Sequence, residues 1–98
     1  MPYLIDTFDR EHTQALRQAL RDQHLDFLEA NKSLLLACGA KLDDDGIVGS
    51  GSVYIVDVET RQAAEEFINN DPFTKGGLFE HIVITRWRKA YLDGQSYL

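Results

Sequence analysis

The feature that most constrains the fold is the order in which strand-like and helix-like hydrophobic patterns occur along the 98 residues. Segments typical of buried strands are separated by segments in which apolar residues recur every three or four positions, as in amphipathic helices. The strand-like segments are 2–8, 34–38, 51–58 and 78–88, and the helix-like segments are 13–31 and 60–69. The order βαββαβ within one short chain is typical of the ferredoxin-like sandwich. We therefore predict an α+β protein whose four-stranded antiparallel sheet carries both helices on one face.

Capping and turn residues stand at the boundaries of these segments. Thr13 and Thr60 are candidate N-caps of the two helices. The Asp-rich run 43–46, which ends in glycine, predicts a hairpin between the second and third strands. Asp71-Pro72 ends the second helix, because the residue before a proline is disfavoured in helical geometry. No repeat or linker divides the chain, so residues 1–98 are expected to form one domain.

The third strand carries apolar side chains on both faces. Val53 and Ile55 share one face, and Tyr54 and Val56 share the other. With both helices on one side of the sheet, the other side needs a cover that so short a chain does not supply. We expect a homodimer, with Tyr54, Val56 and the aromatic residues of the last strand between the subunits. The apolar tail, residues 89–98, is expected to pack on the partner subunit.

Composition excludes several classes of partner. Ten Lys and Arg residues against sixteen Asp and Glu residues give a net charge of −6, which argues against binding to nucleic acid or to an anionic membrane. RNA-recognition domains share the strand order, but the segment 51–55 lacks their basic and paired aromatic residues. No apolar run approaches the roughly 20 residues of a membrane span. Cys38 is the only cysteine, so no intrachain disulfide can form and a cytoplasmic location is expected.

His24 is the first candidate for chemistry. At 100° per residue from Leu16 it lies near 80°, between Leu20 near 40° and Leu28 near 120°, and so inside the apolar arc of the first helix. The structural interpretation is a half-buried histidine that donates to a carbonyl group. The functional interpretation is a general base, which a histidine near a carboxylate often provides. Two other histidines are weaker candidates, because one lies in a polar loop and one on a strand surface: His12 and His81.

Asp71 is the second candidate. A carboxylate after a helix C-terminus meets the negative end of the helix dipole, where a basic residue is more favourable. An Asx-type turn before Pro72 is a sufficient structural reason for an aspartate there. Pro72 and Phe73 stiffen the position, and Gly76 and Gly77 allow a close approach of backbone to a ligand. The glycines do not have the spacing of a phosphate-binding loop.

Four groups of residues form a pattern that is specific for one protein family only when they are taken together. They are Arg21-Asp22-Gln23-His24-Leu25, Gly51-Ser52, Asp71-Pro72-Phe73, and Gly77-Leu78-Phe79 leading to Trp87. This set resembles the YciI-like family of small dimeric proteins over about residues 2–89. The most specific part is the combination of R-x-x-H with D-P-aromatic at this separation.

The resemblance implies a dimeric α+β barrel of ferredoxin-like protomers, with a pocket that contains a histidine and an aspartate. These two residues map onto His24 and Asp71. The matching motifs supply the candidate substrate-binding residues Arg21, Ser52, Pro72, Phe73 and Gly77. Family members in aromatic catabolism act as dehydrochlorinases on hydroxylated chloroaromatics, relatives of similar fold include muconolactone isomerases, and most members have no assigned reaction. The chain departs from the family pattern at 38–40, where Gly-Pro is usual, and at Phe73, where tyrosine is common.

Two functions follow from these candidates. In the first, a cofactor-free enzyme, His24 takes or returns a proton on a cyclic or aromatic substrate, Asp71 supports the imidazolium, and Arg21 or Ser52 holds an oxygen. Metal catalysis is disfavoured, because the three histidines and the single cysteine have no metal-ligand spacing. Ser52 lacks the G-x-S-x-G environment of a hydrolase nucleophile. In the second, the chain is a non-catalytic small-ligand-binding or accessory interaction module, and His24 and Asp71 form a structural hydrogen bond.

The enzyme hypothesis sets a geometric condition. In this topology His24 lies about 16 Å along its helix from the sheet end at which the second helix finishes. Asp71 reaches it only if the chain after Asn70 folds back. We predict Asp71 within hydrogen-bond or one-water distance of His24.

Overall fold

The computed structural model describes all 98 residues. Its helices and strands are β1 (Tyr3–Asp9), α1 (Gln14–Ala30), β2 (Leu35–Leu42), β3 (Gly49–Val56), α2 (Arg61–Asn69), α3 (Pro72–Lys75), β4 (Phe79–Arg86), β5 (Tyr91–Leu92) and β6 (Gln95–Ser96), with one 3₁₀ turn at Lys32–Leu34. The four long strands form one antiparallel sheet in the order β2-β3-β1-β4. This arrangement confirms the predicted α+β class and the ferredoxin-like strand order.

The core lies between the sheet and the helices. On the central strand β1, Tyr3, Ile5 and Thr7 are buried, as expected for alternate residues of a strand covered on one face. Ile5 pairs with Tyr54 of β3 and Ile84 of β4. The buried hydrophobic residues form one cluster: Tyr3, Ile5, Tyr54, Val56, Ala64, Phe67, Ile68, Phe73, Leu78 and Phe79. Burying each large side chain contributes about 1.5–3 kcal/mol to folding.

The two faces of β3 are the reverse of the expectation. Tyr54 and Val56 are completely buried against the helices, whereas Val53 and Ile55 lie on the face that no helix covers. The expectation that Tyr54 and Val56 meet a second subunit was therefore wrong. Because both sets are apolar, alternation separates them but does not say which set faces the helices. Phe79, one of the aromatic residues of the last strand that were expected between the subunits, is also in the core, because the β1–β4 pairing is irregular next to it.

The second and third strands are longer than predicted at the ends that meet in their hairpin. β2 continues to Leu42 and β3 begins at Gly49. The backbone N–H groups of Ile47 and Val48 donate to the carboxylate of Asp43, which closes the connection as an Asp-rich turn. Of the two predicted caps, Thr60 accepts a hydrogen bond from the Ala63 N–H at 3.1 Å. Thr13 occupies the N-cap position but makes no side-chain cap bond.

The short helix α3 lies where the sequence predicts only a turn. Asp71 is its N-cap and accepts a hydrogen bond from the Phe73 N–H at 2.9 Å, and Pro72 takes the first helical position, where it is well tolerated. After α3, the Leu78 N–H donates to the Phe73 carbonyl at 3.0 Å. The chain thus folds back after Asn70 and packs α3 against α1.

The tail after β4 forms the two-stranded hairpin β5–β6. The Tyr97 N–H donates to the Ala90 carbonyl at 2.8 Å, and Tyr91 and Leu98 remain 63% and 88% exposed. None of the helices has the length and apolarity needed to cross a bilayer.

Candidate active site

The fold brings His24 and Asp71 together. Nδ1 of His24 lies 2.9 Å from each carboxylate oxygen of Asp71, within the distance predicted from the sequence. His24 is the one buried residue of α1, at 7% exposure, and Asp71 is completely buried. The contact depends on α3, which turns Asp71 back towards the middle of α1.

The Asp71 carboxylate is surrounded by hydrogen-bond donors. Besides His24, the Phe73 N–H donates to Oδ1 at 2.9 Å and the Tyr54 hydroxyl donates to Oδ2 at 2.7 Å. Burial and the negative charge of Asp71 raise the pKa of Tyr54, so its hydroxyl stays protonated and remains a donor. Tyr54 was not among the predicted site residues, because its apolar neighbours on the strand indicate only a packing role.

These donors determine the proton position on His24. Both oxygens of Asp71 act as acceptors, so Nδ1 of His24 must donate, which leaves Nε2 as the free nitrogen. Nε2 makes no hydrogen bond within the chain. The Phe73 ring stacks on the imidazole with centroids 3.9 Å apart and planes at 13°, and the Tyr54 ring meets it edge-on at 6.3 Å. An imidazole held in this way can accept a proton at Nε2.

A cavity of about 590 Å³ opens between α1 and the strands β2 and β3. His24, Phe73, Ser52 and Cys38 lie on its wall, and Arg21 lies at its exposed edge. This volume is within the usual range for small-molecule sites. The cavity therefore brings a small ligand into reach of the imidazole.

Arg17 lies on the cavity wall but is not among the predicted site residues. Its guanidinium donates to Oδ2 of Asp9 at 2.8 Å, to the Gly51 carbonyl at 3.1 Å and to Oγ of Ser52 at 3.1 Å. It also lies 4.9 Å from the centroid of the Phe73 ring. Arg17 is therefore bound on several sides and orients the Ser52 hydroxyl, which completes the polar part of the wall.

The spacing of Arg17 contained a usable signal. Arg17, Arg21 and His24 stand at positions i, i+4 and i+7 of α1, which lie on one face of a helix. Gly49 leaves room for this arginine, because a Cβ atom there would lie 2.7 Å from Nε of Arg17.

Two predicted substrate-binding residues lie away from the cavity wall. Pro72 is half-buried in the first turn of α3. Gly77 adopts a positive φ of 76°, and its carbonyl accepts a hydrogen bond from Nε of Arg10 at 3.1 Å. Both shape the segment that carries Asp71 and Phe73, so direct contact with a bound ligand is not expected of them.

The Cys38 thiol is a second reactive group on the wall. Partial desolvation and the negative charge of Asp71 raise its pKa to about 11, although the residue as a whole is exposed at the edge of the sheet. A thiol with this pKa is protonated near neutral pH and is a poor nucleophile. His24 is therefore the better candidate for proton transfer in the cavity.

The other titratable groups do not assemble into a metal site. No group of three or more His, Cys, Asp and Glu side chains is placed to hold an ion. A catalytic zinc usually has three protein ligands, which His24 and Asp71 alone do not supply. His12 and His81 are exposed, with His12 in the connection before α1 and His81 on the uncovered face of the sheet.

The Tyr54–Asp71 hydrogen bond provides a stability prediction. Tyr54→Phe leaves a buried carboxylate oxygen without one of its donors, so we expect the free energy of unfolding to fall by about 1–3 kcal/mol. Urea denaturation measures the change. Tyr91→Phe is the matched control, because Tyr91 is 63% exposed, and a change of less than about 0.5 kcal/mol is expected there. Equal effects of the two substitutions would show that the buried hydrogen bond contributes nothing.

Comparisons with known structures agree with this fold. The chain superposes on the 5-chloro-2-hydroxyhydroquinone dehydrochlorinase TftG of Burkholderia phenoliruptrix AC1100, solved in complex with 2,5-dihydroxybenzoquinone. The TM-score is 0.80 and the identity is 32%, over 90% of this chain and 94% of that one. An antibiotic biosynthesis monooxygenase shares the fold alone, with a TM-score of 0.51 and 15% identity over 91% of this chain and 100% of that one.

Sequence relatives agree as well. The protein YciI of Escherichia coli O6:H1 is 28% identical, and the alignment covers 93% of this chain and all of that protein. An uncharacterized protein of Haemophilus influenzae has the same identity and coverage. The model of the YCII-related domain matches residues 1–88, and the chain therefore belongs to this family.

Proposed function

We propose that the chain is a cofactor-free enzyme that moves a proton on a small hydroxylated ring, with Nε2 of His24 as the general base. The observation that carries this proposal is the orientation of the imidazole. Nδ1 is bound to the buried carboxylate of Asp71 while the same ring lies on the wall of a ligand-sized cavity. The structural likeness to TftG, a dehydrochlorinase, supports an enzyme of this type.

The Asp71 carboxylate assists the proton transfer electrostatically. When Nε2 accepts a proton, the imidazole becomes positively charged, and the adjacent carboxylate stabilises that charge between two buried side chains. A positioned general base contributes about 10² to 10⁴ in rate. A contribution of this size is sufficient for a hydroxylated ring, because its hydroxyl groups already make the ring protons and hydroxyl protons easier to remove.

Elimination is the reaction class that fits these groups best. In a dehydrochlorination of the keto tautomer of the ring, the base takes one proton, the electron pair of that bond to hydrogen forms a new double bond, and the electron pair of the C–Cl bond leaves with chloride. No outside oxidant or reductant is needed, so His24 and Asp71 supply the required chemistry. Ser52, whose hydroxyl accepts a hydrogen bond from Arg17, is the candidate donor to a substrate oxygen. Phe73 supplies no hydroxyl, and its ring holds the imidazole in place.

The test measures chloride released from 5-chloro-2-hydroxyhydroquinone by the wild-type protein and by the His24→Asn variant. Release faster than the protein-free reaction, and lost in the variant, supports the proposal. If the wild-type protein binds the compound without releasing chloride, and shows no proton exchange on the bound ring by NMR, the chain is a ligand-binding module and the proposal fails.

We also propose that two copies of the chain pack through the uncovered face of the sheet, with residues 1–98 as one domain and the tail 89–98 against the partner subunit. That face carries the apolar side chains of Val53, Ile55 and Val83, and Val83 is 50% exposed. Asp6 of β1 stands between Val53 and Val83, and Lys41 neutralises its carboxylate at 2.8 Å. An exposed apolar set on a small domain is typical of an interface. The exposed Tyr91 and Leu98 of the tail support the second part.

Light scattering tests the dimer. The wild-type protein should have twice the 11.1 kDa mass of one chain. Val83→Asp should give single chains, because it places an unpaired charge in the apolar contact. Gln62→Asp, which adds the same charge to the exposed side of α2, should leave the dimer intact. A wild-type monomer would refute the dimer, and an unchanged dimer after deletion of residues 90–98 would refute the role of the tail.

A further inference from the structure

We propose that the cavity holds more than the reacting ring, and that its end at the β2–β3 hairpin binds an uncharged apolar substituent of that ring, such as an alkyl chain. The side chains of Leu42, Ile47 and Val48 form this part of the wall, which we call the apolar end. The inference rests on the proposed function for one point only, that the ring lies beside His24. It adds the substrate class: a hydroxylated ring that carries an apolar chain.

The cavity is a groove along one side of α1. Its wall residues on this helix begin at Gln14 and end at Leu28, and they recur three or four positions apart, which keeps them on one side of the helix. A helix rises 1.5 Å per residue, so the groove is about 21 Å long between these two residues. A cavity of about 590 Å³ is likewise large enough for a drug-sized ligand. A single six-membered ring fills only part of this space.

The strand register places the apolar end away from the base. Leu42 of β2 pairs with Gly49 of β3, and Gly49 lies against Arg17 in the first half of α1. Arg17 precedes His24 by seven residues, which is about 10 Å along the helix. The apolar end therefore lies about 10 Å from the imidazole along the groove. A ring beside His24 reaches it only through a substituent of several atoms.

The apolar end consists of side chains that solvent reaches. Leu42 is 50% exposed, Ile47 is 78% exposed, and Val48 is half-buried beside them. Single exposed apolar residues are normal on a protein surface. Three of them on the wall of one cavity indicate a contact surface for an apolar group, because binding removes their surface from water.

The charges at the hairpin favour an uncharged substituent. Its turn carries an aspartate at each of the exposed positions 43–45. The Val48 N–H donates to the Asp43 carboxylate and holds the pKa of that group below its usual value, so Asp43 is ionised near neutral pH. Arg17, the cation beside the hairpin, is paired with Asp9. An anionic substituent would be repelled at this end, whereas an alkyl chain would not.

Calorimetric binding of resorcinol, 4-ethylresorcinol, 4-butylresorcinol and 4-hexylresorcinol tests the inference. The four probes share a dihydroxylated ring and differ in the length of an apolar chain. Each buried methylene strengthens binding by at most about 4-fold. We therefore expect the Kd to fall by about 10-fold or more from the ethyl to the hexyl probe.

Ile47→Ser should reduce this gain by about 3-fold or more, because it removes most of the exposed apolar surface at that position. Binding of resorcinol itself should change by less than about 2-fold. Leu42→Ser should act in the same direction as Ile47→Ser. Ile47→Leu should retain the gain, because it keeps the apolar surface.

Leu98→Ser is the matched control, since Leu98 is 88% exposed and lies outside the cavity. The inference is overturned if chain length does not change the affinity of the wild-type protein, or if Ile47→Ser and Leu98→Ser reduce the gain equally. Because binding is measured without turnover, His24→Asn should keep the gain. A chain-length gain in a protein that releases no chloride would contradict the proposed function and leave this inference standing. Chloride release without a chain-length gain would do the reverse.

Discussion

His24→Asn is expected to lower kcat by about 10² to 10⁴, the usual contribution of a positioned general base, with only a small change in KM. The Asn side chain can still donate a hydrogen bond towards Asp71, but it has no basic nitrogen. An interaction that acts in the transition state affects kcat rather than ground-state binding. Steady-state kinetics of chloride release measures both constants, and thermal denaturation shows whether the variant is folded.

The matched control is His12→Asn. His12 is exposed and has a φ of 60°, a conformation that asparagine tolerates well, so kcat and stability should both stay close to wild type. A His24→Asn protein that loses stability but keeps its turnover would assign the histidine a structural role and contradict the proposed mechanism.

Asp71→Asn tests whether His24 and Asp71 act as one catalytic unit. The new amide can donate to Nδ1 of His24, which places the ring proton on Nε2 and removes the base. The effect of a comparable change in a Ser-His-Asp triad is about 10⁴ in kcat. Because the two residues act as a unit, the double variant should be about as slow as His24→Asn alone. Multiplied effects in the double variant would show that Asp71 works independently of His24.

Gly51→Ala should destabilise the fold by about 3 kcal/mol or more, at the upper end of the cost of overpacking. A Cβ atom at this position would lie 2.0 Å from the carbonyl oxygen of Thr7 and 2.7 Å from Cε of Lys41. The lysine end can move away. The carbonyl cannot, because Thr7 and Phe8 are held in the β1–β3 ladder opposite Ser52 and Gly51.

Urea denaturation of Gly51→Ala and Gly39→Ala makes the comparison. Gly39 also lies in a strand, but a Cβ atom there would meet nothing within 4 Å, so its replacement should be nearly neutral or slightly stabilising. Similar stabilities of the two variants would mean that the sheet accommodates the added methyl group by shifting β3. In that case Ser52 should also lose its hydrogen bond with Arg17.

The site residues that can be predicted from the sequence are those whose signal lies within a few neighbouring positions of the chain. His24 was found because a polar residue inside an apolar helical arc is unusual, and Asp71 because a carboxylate after a helix end needs a reason. Their contact could be stated only as a condition, since it depends on α3. That helix has four residues, too few to show a period, and the proline in its first turn reads equally well as a turn.

The parts that sequence missed depend on long-range packing. Arg17 shares a helix face with Arg21 and His24, but its hydrogen bonds to Asp9, Gly51 and Ser52 follow only from the approach of β1 and β3 to α1. Tyr54 was placed on the wrong face because apolar residues occupy both faces of β3. Its hydroxyl is bound by Asp71, seventeen residues away in the chain.

The Phe73 backbone N–H has a consequence for how the site opens. It donates to Oδ1 of Asp71, one of the two oxygens that lie 2.9 Å from Nδ1 of His24. The amide of Phe73 is therefore released to solvent only when the α3 cap opens, and an opening that displaces Asp71 also separates its carboxylate from the histidine. Hydrogen exchange at this single amide reports how often the α3 cap opens, and a ligand that slows the exchange stabilises the closed cap that holds Asp71 against His24.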